Sequence, residues 1–184
     1  MKKVLMIVGS LRKNSFNMQL ARYVEEMLAE KAQVSFMNYS ELPFMNQDIE
    51  FPTPDSVAKA RQAVMDADGI WIFTPEYNFH IPGVLKNLLD WLSRPLAPND
   101  WNRGSAVKDK VVTISGAAGK SGASGARKNL GTLLEIMRMK LVEGSGTGIS
   151  LDAEAFASGI LNLSEENKAL LQKQMEECLN AIQI

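Results

Sequence analysis

Along this chain, short apolar runs end in polar or glycine-bearing stretches and give way to segments whose apolar positions recur every three or four residues. The first run, KVLMIVGS, ends at Ser10 and shows no polar alternation, as expected of a strand buried on both faces of a parallel sheet. Phe16, Leu20, Tyr23, Val24, Met27 and Leu28 then form one helical stripe. QVSFMNY reads as a second strand and SELPFMNQDIEFPTP as a long irregular connection. A helix opens with Thr53 as N-cap and Pro54 in its first turn, and runs towards Asp66. Gly69 to Phe73 is a third strand, Thr74 to Gly83 a loop, and Val84 to Arg94 a helix with Leu85, Leu88, Leu89 and Leu92 inward. Lys110 to Ser115 is a fourth strand, followed by the glycine-rich stretch Gly116 to Ala126 and a helix from Arg127 to Met139. KLVEGSGTGISL reads as a broken fifth strand, bulged by the glycines between Gly144 and Gly148, and Ser164 to Ile182 as a closing amphipathic helix. This alternation predicts an α/β doubly wound parallel sheet. With no repeat or linker, residues 1–184 are expected to form one domain.

Composition narrows the function classes. The net charge is −1 and no run of Lys and Arg forms a basic patch, so nucleic acid is not an expected partner. A single cysteine, Cys178, and a single histidine, His80, argue against a multi-cysteine zinc site and leave little for a nitrogen-ligated metal. The lone thiol suits a reducing compartment. VLMIV is too short for a secretory signal, and no apolar run approaches the ~20 residues of a membrane span. The expected location is the cytoplasm, with no membrane partner.

Chemistry concentrates in three loops that leave the carboxyl ends of strands, where doubly wound sheets bind ligands. The loop Gly9 to Asn17 carries Ser10, Arg12, Ser15 and Asn17 and ends on a helix N-terminus, which suits a phosphate. Ser15 as a plain helix cap and Arg12 as a solvated residue is the alternative reading. The loop contains no G-x-G-x-x-G, no G-K-[ST] and no cysteine, which excludes a dinucleotide fingerprint, a Walker A loop and a cysteine phosphatase. The second loop, Thr74 to Pro82, sets Tyr77 and Phe79 among two stiffening prolines, either as a platform for a flat ring or as core packing. His80 reads as a turn residue more readily than as a catalyst. The third, Gly116 to Ala126, offers glycine amides to a ligand edge, or is simply a mobile loop whose Lys120 and Arg127 are solvated or pair across a subunit contact. Together the three describe a slot for a mononucleotide with a large flat ring.

GSLRKNSFN after the first strand and TPEYNFHIPGVLKNLLDWLSRP after the third resemble the NADPH-dependent FMN reductase family, over Val4 to about Val142. The resemblance implies a flavodoxin-like fold with five parallel strands in the order 2-1-3-4-5. It implies bound FMN with NADPH or NADH as co-substrate. Quinones, azo compounds, chromate or free flavin would be the acceptors, in a ping-pong hydride transfer carried by the flavin rather than by a catalytic side chain. On matching positions it assigns Ser10, Arg12, Ser15, Phe16 (through its amide) and Asn17 to the phosphate. Pro75, Glu76, Tyr77 and Asn78 fall to the ring and ribityl chain, and Ser115, Gly116 and Ala117 to the pyrimidine edge. Tyr77 and Phe79 would form part of a stacking platform. The family also implies homodimers, often paired into homotetramers, with Leu85 to Trp91 near the contact. An FMN-binding electron carrier or a regulatory flavin-binding module is the alternative; Arg12 and the near-neutral charge fit the carrier poorly.

Overall fold

In the computed structural model, which describes residues 1–142 and 146–183, β1 (Lys2–Val8) pairs with β2 (Ala32–Phe36) on one side and β3 (Gly69–Thr74) on the other. β4 (Val111–Ala118) follows β3, and every pairing is parallel. The fifth position is split. β5 (Lys140–Leu141) pairs with the start of β4 and β6 (Thr147–Ser150) with its end. The order is thus 2-1-3-4-5, the flavodoxin-like arrangement, with the fifth strand broken. Gly148 pairs in register with Gly116, whereas Gly144 lies outside the described residues.

Strand side chains alternate between two buried layers. Leu5, Ile7, Ile70, Ile72, Val112 and Ile114 face α2 (Asp55–Asp66), α3 (Gly83–Ser93) and α4 (Ser124–Ile136). Val4, Met6, Val8, Trp71 and Phe73 face α1 (Phe16–Leu28) and α6 (Glu165–Gln183), together with the short α5 (Ala153–Ser158). A fully buried Leu or Ile stabilises by about 1.5–3 kcal/mol, and both layers are filled with such residues. The sheet is therefore a rigid floor, and the loops at its carboxyl end inherit that rigidity.

Three boundaries differ from those the sequence predicts. Thr53 is not the N-cap of α2: its hydroxyl donates to the Glu50 carbonyl (3.0 Å) and accepts from Arg61 (3.3 Å), and Pro54 stands at the cap position. β4 continues through Gly116 and Ala117 to Ala118, because β6 supplies a pairing partner for each of these small residues. α4 begins at Ser124, three residues before Arg127, and stops at Ile136. Its start is set by a carboxylate from another loop, as described below.

Candidate active site

A cleft of about 470 Å³ opens at the carboxyl ends of β1, β3 and β4, a size ordinary for a small-molecule site. Other hollows are larger, among them one of about 630 Å³ beside Trp101 and Lys108. This one combines a helix N-terminus, an arginine and converging strand ends.

The β1–α1 loop builds the anion end. Gly9 donates to the Phe73 carbonyl at 2.7 Å, and a Cβ there would lie 3.2–3.3 Å from Leu85, Phe73 O and Pro75, so glycine alone fits without displacement. Ser15 caps α1 by accepting from Met18 N (3.1 Å), and Ser10 Oγ accepts from Arg12 N (3.4 Å). Among the described residues, the amides of Phe16 and Asn17 have no acceptor within the chain, as expected of the first turn of a helix. The Arg12 guanidinium lies 5.4 Å from the Phe16 ring centre and, among the described residues, has no carboxylate partner. Two open amides, two serines and an arginine without a carboxylate partner among the described residues line one end of the cleft, the donor set that a phosphate requires.

The Asn17 side chain is engaged within the fold. Its Oδ1 accepts from Ala117 N and its Nδ2 donates to Ala117 O, both at 2.9 Å, locking α1 to the end of β4. The side chain thus holds the cleft floor, while the backbone amide has no acceptor among the described residues.

The β3–α3 loop forms the second wall through Pro75, Glu76 and Tyr77. Tyr77 and His80 exchange backbone bonds (3.2 and 3.0 Å) around Asn78 (φ 52°) and Phe79 (φ 60°), a two-residue turn with both central residues left-handed. A phenylalanine in that region is strained. Tyr77 lines the cleft and is 54% exposed, whereas Asn78 and Phe79 project from the tip outside the lining. His80 Nδ1 accepts from Ile81 N (2.9 Å), so its ring closes the turn.

The Glu76 carboxylate accepts from Ser121 Oγ (2.7 Å) and Ala126 N (2.8 Å), and also from Gly125 N. It thereby caps α4, whose own N-cap, Ala123, is left-handed and has no side-chain bond to offer. Burial alone would raise this carboxyl's pKa. The bonds from Ser121, Ala126 and Gly125, with the nearby Arg127 charge, outweigh it and hold the pKa below the usual carboxylate range. Arg127 points inward rather than to solvent, donating to Gly122 O (3.0 Å) and Gly146 O (2.6 Å) and tying the glycine-rich loop to the residue just before β6.

Of the three residues assigned to the ring edge, Ala117 lines the cleft. Ser115 does not. Its fully buried Oγ accepts from Trp71 Nε1 (3.0 Å) and donates to Gln174 Oε1 (3.0 Å), while Gln174 Nε2 donates to Thr113 Oγ1 and Ile114 O (both 2.7 Å). Ser115 is part of a buried polar chain joining α6 to the sheet. Gly116 is also outside the lining: a Cβ there would meet Ala123 and the Thr74 carbonyl. Ala118 and Gly119, just beyond Ala117, line the cleft as well, and among the described residues the Gly119 amide has no acceptor in the chain.

Sequence reasoning missed Leu151, Phe156 and Gly159, which close the remaining side. The only signal was an apolar Phe156 between a helix-capping Asp152 and a terminating Gly159. Burial pushes the Cys178 thiol up to about 12, and no group of three or more metal-ligating side chains occurs among the described residues. Among those residues, no helix is long and apolar enough to cross a membrane.

A flavodoxin-like sheet with an anion cradle after β1 and a flat slot between the β3 and β4 ends defines a flavin mononucleotide protein. The particular family follows from residues 2–153, which match the NADPH-dependent FMN reductases: the chain belongs to that family. It is 34% identical over 175 residues to a 2-hydroxy-1,4-benzoquinone reductase of a Burkholderia species, covering 95% of this chain and 93% of that protein. It is also 34% identical over 139 residues to an NADPH:quinone oxidoreductase of Arabidopsis thaliana, covering 73% and 68%. Among solved structures, FerB, a flavoenzyme NAD(P)H:(acceptor) oxidoreductase from Paracoccus denitrificans, superposes with a TM-score of 0.86 at 27% identity, covering 100% of this chain and 98% of that one. The residues present fit FMN: among the described residues Arg12 has no carboxylate partner and the Phe16 and Asn17 amides no acceptor, which suits its phosphate, and Tyr77 and Gly119 line the same cleft.

Proposed function

We propose that this protein is an FMN-dependent NAD(P)H oxidoreductase that reduces quinones and related small acceptors. The observation that carries the proposal is Arg12, without a carboxylate partner among the described residues, set beside the open amides of α1 at one end of the cleft. Arg12, Ser10, Ser15 and the two amides would hold the phosphate. Asn17 keeps Ala117 and the strand end beyond it in register with that cradle. Pro75, Glu76 and Tyr77 form one wall of the ring slot, and the Gly119 amide is a donor for the opposite polar edge. Once bound, FMN supplies two-electron chemistry between a nicotinamide donor and an acceptor that use the same open side in turn. Tyr77, half exposed at the mouth, is placed to pack against either substrate.

The same reading includes a homodimer, further pairing into a homotetramer, and a cytoplasmic location. Support for the dimer comes from Phe44, which is 88% exposed on a segment fastened to α3 by Trp91 Nε1 and Asn87 Nδ2 donating to Pro43 O (2.8 and 3.0 Å). The deciding assay is anaerobic oxidation of NADPH and NADH by the FMN-loaded protein with 1,4-benzoquinone. Stoichiometric quinone reduction is expected. Flavin binding without turnover from either nucleotide would instead make the protein a carrier or a regulatory module.

A further inference from the structure

The end of β1 is held on both sides, but by different means. On the β3 side the ladder runs to its last rung, with Gly9 N donating to Phe73 O at 2.7 Å. On the β2 side it stops early. Met37 N donates to Met6 O (2.8 Å), and in a parallel ladder every second amide of one strand serves the same neighbour. The next rung would therefore run from Tyr39 N to Val8 O. Instead the Tyr39 phenol donates to Val8 O at 2.6 Å, and the chain turns away from the sheet, with Leu42 N donating to Tyr39 O (3.3 Å). The side chain of the residue that should have continued the strand completes the ladder in place of its backbone.

Val8 is buried, so its carbonyl needs a donor, and leaving it without one costs about 1–3 kcal/mol. Tyr39 is fixed in turn, buried in the core layer that holds Ala60, Ile81 and Leu85. Burial pushes the phenol pKa up, helped by the nearby Tyr77, so Tyr39 stays a donor at any working pH. Val8 and Gly9 lead straight into Ser10, whose Oγ accepts from Arg12 N (3.4 Å), and Ser15 N donates to Arg12 O (3.1 Å) where the loop meets α1. Between those anchors Leu11, Arg12, Lys13 and Asn14 are exposed. Where Ser10 and Arg12 stand thus depends on where the strand end stands.

We infer that Tyr39, which lines no part of the cleft, is a positioning residue for its anion end: the phenol fixes the Val8 carbonyl and, through it, the Ser10 and Arg12 donors. The inference rests on the reading of that end as the phosphate cradle of a flavin site. The ring side of the cleft is held by separate bonds, from Ala126 N to Glu76 and between Asn17 and Ala117. Tyr39 therefore acts on the phosphate and not on the ring.

Calorimetric titration of the full chain, freed of flavin, with FMN and with riboflavin tests this, since riboflavin has the same ring and ribityl chain but no phosphate. The wild type should bind FMN at least about tenfold more tightly than riboflavin. Tyr39→Phe keeps the ring and removes only the donor. It should weaken FMN about five- to tenfold and change riboflavin by less than about twofold. Val64→Ala, a cavity on α2 in the same core layer, should lower the melting temperature and leave the ratio of the two affinities as it is. A ratio unchanged in Tyr39→Phe, both flavins weakened together or lost in that variant, or a ratio that falls as far in Val64→Ala overturns the inference and leaves the phosphate reading standing. A wild type that binds the two flavins equally overturns the phosphate reading itself, and the inference with it.

Discussion

Arg12 and Ser115 have opposite fates, although the family resemblance assigns both to the cofactor. Arg12 is exposed and unpaired among the described residues, so its charge remains available to a ligand. A charge-assisted hydrogen bond contributes about 1.5–3 kcal/mol, so Arg12→Ala should weaken FMN binding by roughly 10- to 100-fold. The melting temperature of the apoprotein should not move. Ser115→Ala should do the reverse. It strands the Trp71 indole N–H and one Gln174 acceptor in the core, at a cost of about 1–3 kcal/mol of stability. FMN affinity should be unchanged, and a selective loss of FMN binding in this variant would contradict the placement of Ser115. The sequence could not separate the two, because alternation along a strand says which residues share a face but not which face meets the ligand.

Among the elements, the strands were the most legible. Long apolar runs such as Val4–Val8 and Gly69–Phe73 are needed wherever both sheet faces are covered, and both runs lie in observed strands. The end of β4 and the start of α4 were not legible, because Gly116, Ala117 and Ala118 resemble loop residues until β6 pairs with them. α4 begins where it does because Glu76, 50 residues before Ala126, caps it, and no local pattern carries that information. This capping makes the two ring-side loops a single acid-sensitive unit. A carboxyl whose native pKa is lowered stabilises the fold fully above its unfolded value, near 4.5, and loses that contribution as pH falls through the native value. The charged groups around it are Arg127 and the α4 N-terminus, both favouring the ionised form. Glu76→Gln should therefore melt at a lower temperature than wild type at pH 7, with the difference closing as pH falls below 4.5 through the lowered native value. A difference independent of pH would mean that the charge of Glu76 plays no part. α5 was invisible for a simpler reason: six residues are too few to show a period.

At the scale of the whole molecule, a sheet packed on both faces fixes three strand ends, and the loops leaving them need only short excursions to meet. Asn17 bridging to Ala117, Glu76 bridging to α4, and Gln19 bridging to Gly159 join segments 50 to 140 residues apart in sequence around one cleft. The sequence reveals the polar loops but not these bridges, since each depends on which loop ends meet in space. The central claim is that the bridged cleft holds FMN in a form that a nicotinamide nucleotide can reduce. The most direct test is the visible absorption spectrum of FMN-loaded protein, freed of unbound flavin, before and after anaerobic NADPH and then NADH. The account predicts flavin bands that stay with the protein and bleach with at least one nucleotide. Bands lost with the unbound flavin, or bands that persist through both additions, would contradict it.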